Sequence, residues 1–182
     1  NSIDEFKREI DRLSDLLKDT NSADPLIKYM RPYLMTFVDR FKGINSSSQL
    51  QLALAKWYFE NKRLTQCYIC LAEAVVSRIL EEYRARDSKI EWKNQNREKV
   101  KYLINRTNFG TMNQFKDLCK VYKEISHTRN LIAHAGFADK EAYKEAISKI
   151  SSYIRSTETL VFNNKHMKEI PALFPFDQLQ NK

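Results

Sequence analysis

Within the stretch Ser126-His127-Thr128-Arg129-Asn130-Leu131-Ile132-Ala133-His134-Ala135-Gly136, three residues combine the groups that hold and protonate an anion. These are the guanidinium of Arg129, the amide of Asn130 and the imidazole of His134. Arg129 falls at helical spacing on the stripe Phe115, Leu118, Tyr122, Ile125 and Ile132, and a guanidinium turned toward a core is costly to desolvate unless it is paired or used. Asn130 and His134 are four residues apart and share one helical face. His127 lies on that face about 10.5 Å away along the axis and is assigned to solvent or an interface. An imidazole with an ordinary pKa of about 6.5 exchanges protons near neutral pH. Residue types and spacing thus define a candidate anion or phosphate site on a helix. They leave open a structural alternative, an arginine bound to a core carboxylate, for which Glu73 is the candidate partner.

Other chemistry has little support. Cys67 and Cys70 have the spacing of a zinc or redox pair but lie in mid-helix on an apolar element, with Cys119 and three scattered histidines as the remaining ligands. Buried thiols are the expectation, and no cofactor or metal is implied. There is no glycine-rich phosphate loop, no HExxH and no Gly-x-Ser-x-Gly. An odd number of cysteines without a leader-like start points to a reducing cytoplasm, and no apolar run approaches the length of a membrane span. The chain starts Asn1-Ser2, from which we expect a domain excised from a longer protein.

Gly plus Pro is 7 of 182 residues, well below the roughly 12% of an average chain, which favours long regular segments and an all-α fold. Apolar periodicity predicts helices over 3–19, 25–42, 49–61, 64–86, 97–105 and 113–135, and a last long helix after Asp139 that carries Tyr143, Ile147, Ile150, Ile154 and Val161. Asp24 and Pro25 form a start signal, Pro32 should kink or split the second helix, and Gly43 and Gly136 are C-terminal stops. Residues 44–48 read as a Ser-rich linker ending in a capping hydroxyl, and Phe109-Gly110-Thr111 as a turn. The helices over 49–61 and 64–86 are joined so tightly that they form an antiparallel hairpin. The second of these is apolar nearly all round and belongs at the centre. Ala55, Trp57, Tyr58, Tyr68 and Ala72 make the hairpin resemble one tetratricopeptide unit, but no second copy follows. The tail, with Pro171 and Pro175 among Ile170, Phe174 and Phe176, should be extended and lie against the body or a partner.

The net charge of +8 is uneven. Residues 84–106 hold eight basic residues against three acids and so carry +5 of it. Lys89, Lys93, Lys99 and Lys101 are the candidate contacts to a polyanion.

The string RNLIAH, with Arg129, Asn130 and His134, resembles the signature of the HEPN superfamily of small all-helical domains. Together with LALAKWYFENKRLTQCYICLAEAVVSRIL upstream and HTRNLIAHAGF downstream, it is similar to the HEPN domain of type III CRISPR-associated ribonucleases. The similarity spans about residues 48–163. On it the chain divides into N-terminal helices (1–43), a HEPN core (48–163) and a packed tail (164–182). The resemblance implies a metal-independent endoribonuclease acting on single-stranded RNA in prokaryotic antiviral defence. Arg129 would stabilise the phosphorane charge, Asn130 would orient the imidazole or bind phosphate, and His134 would relay the proton, leaving 2′,3′-cyclic phosphate and 5′-OH ends. Such effectors often carry an N-terminal CARF domain that senses cyclic oligoadenylate. No such portion is present here, so an isolated catalytic domain and a stand-alone protein regulated otherwise both stay open.

Five residues of helix turn by about 500°, so Arg129 and His134 point about 140° apart, and one helix hardly focuses both on one phosphate. Two helices related by a twofold axis can, and the expectation is a homodimer with a composite site. The alternatives are a non-catalytic HEPN module that dimerises or binds nucleotides or RNA, and a helical scaffold that binds nucleic acid through residues 84–106.

Overall fold

The computed structural model describes residues 2–18, 24–135 and 140–179; the side chains at 2, 107, 133–140, 142 and 143 lie outside the description. Its described elements are all helical. Among the described residues, no helix is long and apolar enough to cross a membrane, and no three His, Cys, Asp or Glu side chains cluster as a metal site.

Helices α1 (Ser2–Lys18) and α2 (Pro25–Phe41) pair through Ile3, Ile10 and Leu17 against Val38 and Phe41, with Phe6 edge-on to Phe41 at 5.4 Å. The Asp24 carboxylate accepts the Leu26 N–H at 2.8 Å, capping α2 in front of Pro25. Of the two outcomes expected at Pro32, a kink or a split, the split does not occur: α2 runs through it as one helix. Both Pro32 and Lys28, whose carbonyl loses its donor, are exposed, so water takes the place of the missing N–H. Gly43, at φ +78°, ends the helix as expected. Phe37 against Trp57 at 6.0 Å carries the same apolar cluster onto α3 (Ser47–Glu60). On the outer side of α2, Leu26, Tyr29, Met30 and Tyr33 remain exposed.

The expected hairpin is present: α3 turns back through Lys62, at φ +58°, into α4 (Leu64–Arg86). Thirteen of the 23 residues of α4 are buried, which places it at the centre of the main core. The hydroxyl that caps α3 is that of Ser46, not the last serine of the linker. Ser48 is buried and gives both its N–H (2.9 Å) and its hydroxyl (2.6 Å) to the Glu81 carboxylate on α4.

Around α4 stand α5 (Asn94–Asn105), α6 (Thr107–Thr111), α7 (Asn113–Ala135) and α8 (Lys140–Thr157), which runs on as a π turn over Glu158–Phe162. Helix α5 begins three residues before its predicted start. The expected turn at Phe109-Gly110-Thr111 is helical instead, because Phe109 is fully buried and stacks on Phe115 at 4.7 Å, an apolar contact that holds the segment inward. Ile147, expected in the core, is 45% exposed, while Ala146, Ile150, Tyr153 and Ile154 form the buried stripe of α8. The tail packs on the body as expected, but it is not extended. It forms 3-10 turns at Lys165–Glu169 and Phe176–Gln178 around the short α9 (Ile170–Leu173). Met167, Ile170 and Leu179 are buried, and the Tyr83 hydroxyl donates to the Phe174 carbonyl at 2.7 Å. Gly136, Asp139 and the Tyr143 side chain lie outside the described residues.

All three cysteines are free, with Cys67 and Cys119 buried and Cys70 half-buried. Burial pushes the Cys67 thiol up to about 12 and those of Cys70 and Cys119 to about 11. At pH 8 a thiol of pKa 11 is only about one-thousandth ionised. Native protein should therefore react with Ellman's reagent far more slowly than free cysteine at pH 8, and unfolding in urea should release all three thiols. Fast stoichiometric labelling of the native chain would contradict this assignment.

Candidate functional site

Helix α7 positions the motif by burying Phe115, Leu118, Tyr122 and Ile125 against the core. Arg129 follows Ile125 by one turn on the same side and is half-buried, whereas Asn130 is exposed. The Arg129 Nε–H and one Nη–H both donate to Asn130 Oδ1, at 3.2 and 3.1 Å. Two of the five guanidinium donors are used in this way, which fixes the side chain, and among the described residues the other three have no hydrogen-bond partner.

The carboxylate proposed as a partner for Arg129 is engaged elsewhere. Glu73, on α4, is ion-paired by Arg97 of α5, which also donates to Ser77 Oγ at 3.1 Å, and by Lys101 one turn on at 3.8 Å. The reason is proximity on α5: residues 97 and 101 are four apart and face α4 together. Arg129 has no carboxylate partner among the described residues. A half-buried, uncompensated guanidinium is poised to bind an anion.

Tyr122 and Ser126 belong to this neighbourhood and were not singled out by the sequence. Burial raises the Tyr122 phenol pKa most, Glu73 adds to that, and Ser126, Lys101 and Arg129 act against it. The phenol therefore stays neutral between α4, α5 and α7, near Arg129 and Lys101. Only its position one helical repeat before Arg129, on the same apolar stripe, could have signalled it.

His134 lies in the last turn of α7, and its side chain is outside the described residues. His127 is exposed, as expected, at the edge of a groove of about 210 Å³ between α7 and α8 that Leu131, Glu145, Lys149 and Tyr153 also line.

The four candidate RNA-binding lysines are not brought together. Lys93 is ion-paired to Glu91, Lys99 sits 5.1 Å over the Phe176 ring, and Lys101 pairs with Glu98 at 2.9 Å as well as with Glu73. Lys99 and Lys101 point about 160° apart around α5. Lys89 is exposed and stands apart in the loop before α5. The neighbouring arginines are also engaged: Arg84 on the Ile90 carbonyl and the Trp92 ring, Arg86 on the Lys168 carbonyl, and Arg106 over Tyr102. Much of the charge that is dense in sequence is used to hold the fold.

This division of roles predicts opposite stability effects. Glu73→Ala strands the Arg97 guanidinium, which is largely out of water, while Lys101 keeps Glu98, and should lower the unfolding free energy by about 2 kcal/mol in urea titrations. Arg129→Ala breaks no ion pair among the described residues and should stay within about 0.5 kcal/mol of wild type. The reverse order would make Arg129 the structural cation.

Neither a family model nor a solved structure matches the chain. Over 144 residues it is 29% identical to the CRISPR-associated protein MJ1674 of Methanocaldococcus jannaschii, a match that covers 77% of this chain and 22% of that protein. The chain thus spans less than a quarter of the relative's length, and what it resembles is one part of a CRISPR-associated protein.

Proposed function

We propose that this chain is a HEPN-type endoribonuclease domain of CRISPR defence, which cleaves single-stranded RNA without a metal and acts as a homodimer. The observation that carries this is the Arg129 guanidinium: held by Asn130, half-buried, and matched by no carboxylate among the described residues. The similarity to a CRISPR-associated protein supports the biological setting.

In the proposed reaction the ribose 2′-oxygen attacks the adjacent phosphorus and the P–O5′ bond breaks. The proton lost by the 2′-OH is balanced by one delivered to the departing 5′-oxygen. The products are a 2′,3′-cyclic phosphate and a 5′-OH. The N–H donors of Arg129 that no described residue takes up oppose the charge that builds on the phosphorane oxygens. Asn130 keeps the guanidinium in place through Oδ1, and its own NH2 stays available for a phosphate oxygen. His134 carries the proton. Since Arg129 and His134 diverge by about 140° on one helix, Arg129 of one protomer works with His134 of the partner subunit across a twofold axis. Exposed aliphatic side chains at this end of the bundle, Leu131 (40% exposed) and Ile147 (45%), suit such an interface.

The test is cleavage of an end-labelled single-stranded RNA in EDTA. Wild type should cut it and leave 3′ ends blocked as cyclic phosphate, and Arg129→Ala and His134→Ala should each lose about 100-fold or more while staying folded. Undiminished cleavage by both variants would refute the site assignment. A wild-type protein that dimerises but cuts no RNA would be a non-catalytic HEPN module.

A further inference from the structure

We infer that the outward face of α7 is a phosphate track that guides single-stranded RNA along the helix to the motif. This rests on the endoribonuclease reading and adds to it where the RNA lies. Lys116, Lys120 and Lys123 are all exposed, and their spacings of four and three continue through His127 and Asn130 to the backbone position of His134. At 100° per residue these six positions fall within a sector of about 80°, and from Lys116 to Asn130 the row is about 21 Å long. That length equals the axial rise of about six nucleotides of a stacked strand at 3.4 Å each.

The row differs from the sequence-dense segment 84–106 in the state of its charges. Among the described residues, Lys116, Lys120 and Lys123 have no ion-pair partner, whereas Lys93 and Lys101 are paired and Lys99 covers an aromatic ring. The acids of this helix, Asp117 and Glu124, sit about 80–100° round the axis, on the flank toward α8, where they line a groove with Arg155 that Lys120 also borders. A second copy of the chain is a poor occupant, since a twofold axis through the row would set lysine against lysine. A polyanion matches it, and the row ends at Asn130, whose Oδ1 holds the Arg129 guanidinium.

The experiment compares two triple variants, Lys116→Gln/Lys120→Gln/Lys123→Gln on α7 and Lys89→Gln/Lys93→Gln/Lys99→Gln in the 84–106 segment. Both are checked for folding by circular dichroism. The probe is a fluorescein-labelled 2′-O-methyl oligouridylate, which cannot be cleaved, titrated by anisotropy between about 50 and 200 mM salt. For the α7 variant, the slope of log K against log salt should fall by about 2, at about 0.7 for each lost phosphate contact, with affinity at low salt down about tenfold or more. Its cleavage of ordinary RNA should show a raised KM and a retained kcat. The 84–106 variant should keep the wild-type slope. If wild type binds and cleaves but the α7 variant keeps its slope, or the 84–106 variant loses it instead, the track is wrong and the nuclease reading stands. If wild type neither binds the probe nor cleaves RNA, both fall together.

Discussion

Helix α4 runs through the middle of the core yet carries three carboxylates, Glu73, Glu81 and Glu82, and the structure is arranged around satisfying them. Ionised carboxylates out of water are tolerated only when they are paired and hydrogen-bonded. Glu81 receives the Ser48 N–H and hydroxyl and so ties down the first turn of α3. Glu82, 7% exposed, is paired within the helix by Arg78, and Glu73 draws in Arg97 and Lys101 and so docks α5. Two tyrosines extend the same scheme outward: the Tyr68 hydroxyl donates to the Ala146 carbonyl of α8 at 2.8 Å, and that of Tyr83 to the tail. Because Glu73 takes its cations from α5, Arg129 on α7 is left without a carboxylate partner among the described residues. The availability of the motif arginine is thus a consequence of how the central helix is neutralised.

Helix limits were legible where local chemistry decides them. Asp24-Pro25, Gly43 and the long apolar periodicity of α4 and α7 each specify a start, a stop or a face without reference to the rest of the chain. Readings failed where tertiary contact decides. Phe109-Gly110-Thr111 has the composition of a turn, and the burial of Phe109 against Phe115 overrides it. The prolines of the tail suggested extension, but Pro171 is tolerated in the first turn of α9, and Met167 and Ile170 hold the segment against the core. Ile147 fits a helical stripe as well as its neighbours do, yet it falls just beyond the edge of the face that α8 buries.

The candidate site divided in the same way. That Arg129 lies on the inward side of its helix and Asn130 on the outward side follows from spacing, and the half-buried and exposed states of the two agree with it. Which carboxylate meets which cation does not follow from spacing: Arg97, Lys101 and Arg129 are all candidates for Glu73 in the sequence, and only packing selects Arg97 and Lys101. Charge density along the chain does not reveal which cations are engaged, for the same reason: many of those in residues 84–106 hold α5 and its flanks to the body.

The angular separation of Arg129 and His134 makes the strongest demand on the proposed chemistry, namely that the two act across a dimer. Complementation tests this most directly. Arg129→Ala and His134→Ala protomers are co-expressed with different tags and the heterodimer is purified. It keeps one site with both groups, so RNA cleavage should return to about half the wild-type rate, while each parent homodimer stays inactive. A heterodimer as inactive as its parents would show that Arg129 and His134 of the same chain must work together, and the composite site would be wrong.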